Sequence, residues 1–254
     1  MISYPQVKLN LGLRVLRRRS DGYHDIESLM IPFNGFRDTL EIVPSGEFSI
    51  RVSLPDGSPA PWNAETDLTA KAWRLLRDEF RIGPVRIDLL KRAPVGAGLG
   101  GGSSDGAYAL KMLSEIFSLG LSDGALEERA AMLGSDCPFF VRERPCICRG
   151  RGEIMEPFGI DLSPYRIEVV TPGVAVSTRE AYCGIVPCDE GKPLEDVLSL
   201  PVRQWKSLLV NDFEKTVFGA HPQLREIKQD FYDRGAVYAS MSGSGSAVYG
   251  IFEK

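Results

Sequence analysis

Pro94-Val95-Gly96-Ala97-Gly98-Leu99-Gly100-Gly101-Gly102-Ser103-Ser104 is the stretch on which the reading of this chain turns. Five of the seven residues from 96 to 102 are glycine. That many would weaken a strand or a helix through the backbone entropy they lose on folding, so something local must favour them. Without Cβ atoms, backbone N–H groups can approach an anion closely. The segment follows a strand pattern at Val85–Leu89 and precedes a helical period from about Ser103, which carries Leu110, Leu113, Ile116 and Phe117 inward. A helix starting there turns its unpaired N–H groups and positive dipole end toward the loop. The combination suits a di- or triphosphate, with Ser103 or Ser104 placed to hydrogen-bond a phosphate or a Mg²⁺-bound water.

Two rival readings of the loop are weaker. No Lys-Ser/Thr closes it, so it is not a Walker A motif. Gly96-x-Gly98-x-x-Gly101 formally matches the dinucleotide fingerprint, but that site also needs a second strand ending in an acidic residue about twenty positions on. Phe117–Gly124 occupies that place and reads as turn.

Outward from the loop, strand and helix signals alternate in both halves. Val7, Leu9, Leu11, Leu13 and Val15 alternate with Lys8, Asn10, Gly12 and Arg14, a period-two strand that sends Lys8 and Asn10 to the face opposite the apolar one. Further strands are expected at Ile26–Phe33, Thr39–Val43, Phe48–Ser53, Val85–Leu89, Arg166–Thr171, Ala236–Ser240 and Ala247–Phe252. Leu54–Asn63 reads as loop. A helix is expected from a Thr66 cap, burying Leu68, Ala72, Leu75, Leu76 and Phe80. Others are expected at Ala125–Leu133, Val202–Val210 and Gln223–Arg234. Mixed elements without strict βαβ alternation indicate α+β. The pattern breaks at Gly150–Gly152, giving domains at 1–151 and 152–254.

Composition excludes several classes. Apolar residues make up 43% and charged residues 25% of the 254, enough for a real core. There is no apolar run of membrane-spanning length and no secretory leader, so a cytoplasmic protein without membrane contact is expected. A net charge of −4 argues against nucleic acid as a partner. The one basic run, Arg17-Arg18-Arg19, leads into Ser20-Asp21-Gly22 and reads as a solvated turn. The five cysteines show no paired CxxC spacing, so reduced thiols are expected in place of a metal set; Cys146 and Cys148, two apart, would share a strand face.

Phosphoryl transfer needs a phosphate cradle, Mg²⁺ and a carboxylate to orient or deprotonate the hydroxyl. Asp136, in Gly134-Ser135-Asp136-Cys137-Pro138-Phe139-Phe140, is the best carboxylate, although an Asp in such a turn is commonly a cap. Lys8 is a plausible partner, since an ammonium nearby keeps a carboxylate ionised and neutralises phosphate charge. Ser20-Asp21-Gly22-Tyr23-His24 reads either as a surface turn or as a platform on which Tyr23 stacks a planar ring whose edge His24 meets. Met241-Ser242-Gly243-Ser244-Gly245 reads either as a hairpin turn or as a nest of N–H groups closing on a phosphate.

Taken in order, Lys8-Leu9-Asn10-Leu11, PVGAGLGGGSS and Ser242-Gly243-Ser244-Gly245 resemble the GHMP small-molecule kinases, over nearly the whole chain. Asp21-Gly22-Tyr23-His24, Ile26-Glu27-Ser28-Leu29, the triple glycine before Ser103-Ser104-Asp105, and the segment Gly134–Phe140 narrow the resemblance. They point to the branch that phosphorylates the 2-hydroxyl of 4-CDP-2-C-methyl-D-erythritol in the non-mevalonate route to isoprenoid precursors.

The resemblance implies a ribosomal S5 domain 2-like N-terminal domain, a ferredoxin-like C-terminal domain, and a monomer or weak homodimer. It implies Lys8 and Asp136 as the catalytic pair, and ATP with Mg²⁺ in the loop formed by Pro94, Val95, Gly96, Ala97, Gly98, Leu99, Gly100, Gly101, Gly102, Ser103 and Ser104. Leu68 would stand at the start of an adenine-side helix. Cytosine would lie between Tyr23 and Tyr182 with His24 at its edge, Asn10 and Thr178 would touch the polyol or phosphates, and Ser242 and Gly243 would line the same pocket. Asp67 and Cys137 replace a usual Asn and Val, and the sequence stops at Lys254 without the C-terminal helix common in relatives. Another GHMP kinase, acting on mevalonate, homoserine or a sugar, and a nucleotide-binding protein without turnover remain as alternative readings.

Overall fold

The computed structural model describes residues 1–254. In chain order the strands are β1 (Ile2–Ser3), β2 (Gln6–Arg18), β3 (His24–Arg37), β4 (Thr39–Pro44), β5 (Ser49–Ser53), β6 (Val85–Leu90), β7 (Cys146–Arg149), β8 (Ile154–Pro157), β9 (Tyr165–Val170), β10 (Tyr238–Met241) and β11 (Val248–Glu253). The helices are α1 (Leu68–Phe80), α2 (Gly101–Ile116), α3 (Asp123–Leu133), α4 (Phe139–Arg142), α5 (Thr178–Tyr182), α6 (Leu194–Leu198), α7 (Phe213–Ala220) and α8 (Pro222–Asp233). No helix is long and apolar enough to cross a membrane.

The chain forms two compact units, each built from separated stretches. Met1–Lys8, Pro32–Val95 and Gly100–Glu143 make the first; Leu9–Ile31, Gly96–Leu99 and Arg144–Lys254 make the second. In sequence the 1–151 and 152–254 division is a cut at Gly150–Gly152, whereas the compact units exchange segments earlier, inside β2, β3 and the glycine loop.

The first unit holds a sheet in the order β1-β4-β6-β5, in which β6 pairs antiparallel with β4 and parallel with β5. Leu40, Ile42, Val52, Ile87 and Leu89 alternate out of this sheet onto Trp73 and Leu76 of α1 and Leu110 and Leu113 of α2. Trp73, absent from the expected stripe of α1, is buried and stacks on Phe48 at 4.0 Å between centroids. Truncating a side chain such as Leu76 to Ala should cost about 2–5 kcal/mol.

Thr66 is not the cap of α1. It lies in a short 3₁₀ turn, and the Asp67 carboxylate caps α1 by accepting from the Thr69 N–H at 2.9 Å. The reason is chemical: two cap-forming residues stand side by side, and a carboxylate also gains from the positive end of the helix.

In the second unit an antiparallel sheet runs β10-β11-β9, and α7 and α8 cover it through Phe213, Val217, Leu224 and Phe231. A further sheet runs β2-β3-β7-β8. The expected helix over Val202–Val210 is a 3₁₀ helix at Val202–Ser207; Pro201 opens it, and tighter winding buries Val202 and Trp205 together. Cys146 and Cys148 do share a face of β7, with their sulfurs 3.6 Å apart.

Candidate active site

In the first unit, β6 delivers the chain into the loop and α2 receives it. Gly100 caps α2 with φ of 72° and no side-chain hydrogen bond, and the first helical amide to find a carbonyl is that of Ser104, which donates to Gly100 at 2.9 Å. The amides of Gly101, Gly102 and Ser103 are therefore those a helix leaves unpaired, aimed with the dipole at whatever anion arrives. A side chain at Gly100 would be strained: a Cβ there would lie 3.1 Å from Phe140 Cζ and 3.2 Å from the Lys8 side chain, at a φ that L residues rarely adopt.

That contact places Lys8 beside the helix start. Its Nζ lies 3.5 Å from Asp136 Oδ2. Lys8 is almost fully buried at 5% side-chain exposure, whereas Asp136 keeps 32%. The carboxylate is not the cap of α4, a position held by Pro138, and it keeps access to solvent. Burial pushes the neighbouring Cys137 thiol up to about 11, which keeps it neutral and a poor nucleophile near neutral pH. Leu68 opens α1 against α2, where a Cβ on Gly106 would lie 2.9 Å from Leu68 Cβ. Val95 and Gly102 are exposed, and Ser104 is buried with its Oγ lacking a hydrogen-bond partner.

In the second unit, Gly96–Leu99 lies against the turn after β10. Ala247 N–H donates to the Ala97 carbonyl at 3.0 Å, and Ser242 Oγ donates to the Gly98 carbonyl at 3.2 Å. A Cβ on Gly98, at φ of 76°, would overlap the Ser242 carbonyl oxygen and sit 3.0 Å from Gly245 N. Asn10 joins the group: its backbone N–H donates to Ser242 Oγ at 3.1 Å and its amide to Ser28 Oγ at 2.9 Å. Asn211, absent from the sequence reading, holds the turn from behind by donating to the carbonyls of Met241 and Gly243 at 2.8 and 2.9 Å.

The aromatic residues are arranged differently from the expected sandwich. His24 stacks on Tyr182, centroids 4.7 Å apart with 20° between planes. Tyr23 is 57% exposed, and its N–H donates to Asp21 Oδ1 at 3.0 Å. Arg151, also absent from the sequence reading, lies 5.1 Å from the Tyr23 ring centroid. Thr178 is exposed at the first position of α5. Arg17 and Arg19 of the basic run are tied to Asp25, and Arg19 also to Asp21, which makes that run part of the turn.

A glycine-rich loop opening a helix beside a lysine–aspartate pair, within an α+β chain of two units, leads to the GHMP kinases. The profile for the GHMP kinases N terminal domain matches residues 67–144, and that for GHMP kinases C terminal matches 201–254. Over 100% of its length the chain is 46% identical to the 4-diphosphocytidyl-2-C-methyl-D-erythritol kinase of Azobacteroides pseudotrichonymphae, covering 94% of that protein. It is 47% identical to the enzyme of the same name from Bacteroides thetaiotaomicron, again over 100% of this chain and 92% of the relative. A crystal structure of 4-(cytidine 5'-diphospho)-2C-methyl-D-erythritol kinase superposes with a TM-score of 0.82 at 34% identity, over 99% of this chain and 90% of that one. A mevalonate kinase structure shares the fold at a TM-score of 0.73 and 16% identity, over 100% of this chain and 91% of that one. The chain belongs to the 4-diphosphocytidyl-2-C-methyl-D-erythritol kinase family, and is an ATP-dependent small-molecule kinase.

Proposed function

We propose that this chain transfers the γ-phosphoryl group of ATP to the 2-hydroxyl of 4-CDP-2-C-methyl-D-erythritol, giving the 2-phosphate and ADP. The observation that carries the chemistry is the Lys8–Asp136 pair, 3.5 Å apart next to the start of α2. Asp136 accepts the proton of the 2-hydroxyl as its oxygen bonds to the γ-phosphorus and the bond to the β,γ-bridging oxygen breaks. Lys8 positions the carboxylate from 3.5 Å and lies against the charge that spreads over the transferred group. The amides at Gly100–Ser103 hold the polyphosphate, and the turn Ser242–Gly245 supports the other limb of the loop.

Mg²⁺ fits this site. When bound it would be held mainly through the substrate phosphates and would neutralise their charge. The hydroxyls of Ser103 and Ser104 would hold its waters, and the buried Ser104 Oγ with no protein partner is the observation in favour.

For the cytosine, Tyr23 offers an exposed ring face, and His24 leaves Tyr182 for the edge of the incoming base. Asn10 and Thr178 serve the polyol and phosphates. The chain is read as a monomer or weak homodimer working in the cytoplasm.

A coupled assay of ADP release tests the reading. 4-CDP-2-C-methyl-D-erythritol should support turnover, while mevalonate and homoserine should not. Turnover on either alcohol and none on the cytidyl compound would overturn the substrate assignment.

A further inference from the structure

Beneath the glycine loop, in the first unit, lies a second lysine. Lys91 is the first residue after β6, and its N–H donates to the Ser53 carbonyl at 2.8 Å, so its backbone is fixed by β5. Its ammonium bridges Asp38 and Asp105. All three side chains are sealed from solvent, at 4% exposure for Lys91 and 1% for each carboxylate. Asp38, in the turn from β3 to β4, uses its other oxygen to accept from the N–H groups of Arg92 and Ala93, the latter at 2.8 Å. Asp105 lies in the opening turns of α2. One cation therefore joins the residues that enter the loop to the helix that leaves it.

The cluster also sits directly under the loop's re-entry. A Cβ on Gly101 would lie 3.4 Å from Ala93 Cβ, 3.5 Å from Lys91 Nζ and 3.8 Å from Asp38 Oδ2. With two of its three donors committed to buried carboxylates, the Lys91 ammonium is not available to a phosphate arriving from solvent.

We propose that Lys91, clamped by Asp38 and Asp105, is a positioning residue for ATP: it ties the two ends of the glycine loop together and so holds the amides at Gly100–Ser103 in the geometry that receives the polyphosphate. This rests on the phosphate-loop reading above and extends it to three residues that touch no substrate. Preorganised donors bind an anion without having to be ordered at the moment of binding, so loosening either end of the bracket should weaken ATP and leave the alcohol substrate alone.

The test is direct titration of full-length protein with a non-hydrolysable ATP analogue and Mg²⁺, alongside KM for both substrates. Wild-type protein is titrated first: failure to bind the analogue would remove the phosphate-loop reading and this proposal with it. Binding without turnover on the cytidyl substrate would remove only the substrate assignment, since the titration does not depend on the alcohol. Lys91→Met and Asp105→Ala should weaken the analogue about ten-fold and raise KM for ATP in step, with KM for the alcohol within about two-fold of wild type. Asp105→Asn, which keeps an oxygen for Lys91, should restore most of the affinity.

A folded Asp105→Ala protein that binds the analogue like wild type would overturn the proposal. So would equal weakening of both substrates, the signature of a merely damaged fold. Where the variants fail to fold, hydrogen exchange on wild-type protein decides. Analogue binding should slow the amides at 92–93 together with those at 101–105, and slowing confined to 101–105 would overturn it.

Discussion

Two lysine–carboxylate assemblies share the first unit and differ in nearly every physical respect. Lys91 is gripped by Asp38 and Asp105, all three side chains almost wholly buried. Lys8 and Asp136 are 3.5 Å apart, and the carboxylate keeps about a third of its surface exposed. A buried cluster of this kind commits its lysine to its own carboxylates, although Asp105 Oδ1 keeps no hydrogen-bond partner, and breaking it strands a charge in a dry place. A slack pair with an open side retains capacity for a reacting group. Openness, more than the presence of charge, is what the proposed role of the Lys8–Asp136 pair rests on.

The sharpest way to break the contrast is Asp136→Asn. An amide cannot take the hydroxyl proton, so kcat should fall on the order of a hundred- to ten-thousand-fold, while ATP still binds and Tm moves little. Retention of near-normal kcat would remove Asp136 from the role of base. In the closed cluster the balance should reverse. Lys91→Met leaves two buried carboxylates without their cation and should destabilise the fold by about 3–5 kcal/mol, read as a lower urea midpoint with unchanged slope.

The open pair was legible in the sequence and the closed cluster was not. Lys8 sits on an alternating strand and Asp136 in a distinctive turn, and the glycine loop has a composition that few structural roles explain. Lys91 is followed by Arg92 and reads as surface charge, because its partners lie 53 residues earlier and 14 later; only the fold brings them together. Asn211 and Arg151 were missed for the same reason, since each acts on a turn distant in sequence. The strands and helices read best were those with a long apolar period, such as β2, α2 and α8.

β7 and β8 escaped notice because Cys146–Arg149 and Ile154–Pro157 are four residues each, joined by a glycine turn that reads as a boundary. α5 and α6 are five residues each, too short for a helical period to emerge.

Tyr23 and Tyr182 offer a smaller test, because the structure sets their rings in different company: Arg151 lies over one and His24 on the other. If the exposed Tyr23 ring is the platform for cytosine, Tyr23→Ala should raise KM for the cytidyl substrate by the loss of stacking, about 1–3 kcal/mol, with KM for ATP unchanged. An unchanged KM for the cytidyl substrate would move the base to another surface.

The smallest expected effect comes from the pH response of the closed cluster. Burial holds the Asp105 carboxyl well above its ordinary 3.8, with Asp38 and Asp67 pushing the same way and Lys91 opposing. Lys91 is itself held above 10.5 by the two carboxylates, against the effect of burial, so it stays charged throughout the acid and neutral range. For an acid raised on folding, the native state favours the protonated form. The stability this contributes is complete below pH 3.8 and is lost as pH rises through the higher folded value. Asn at 105 carries no such proton.

The stability of wild-type protein relative to Asp105→Asn should therefore decline as pH rises from about 4 toward the raised folded value. Urea unfolding of both proteins at pH 4.5 and 7.5 measures this, since titrations common to the two cancel in the difference. A difference that stays flat, or grows in favour of the wild type as pH rises, would mean that Asp105 ionises in the native protein at least as readily as in the unfolded chain. The two assemblies would then differ in exposure alone and not in how they hold a proton.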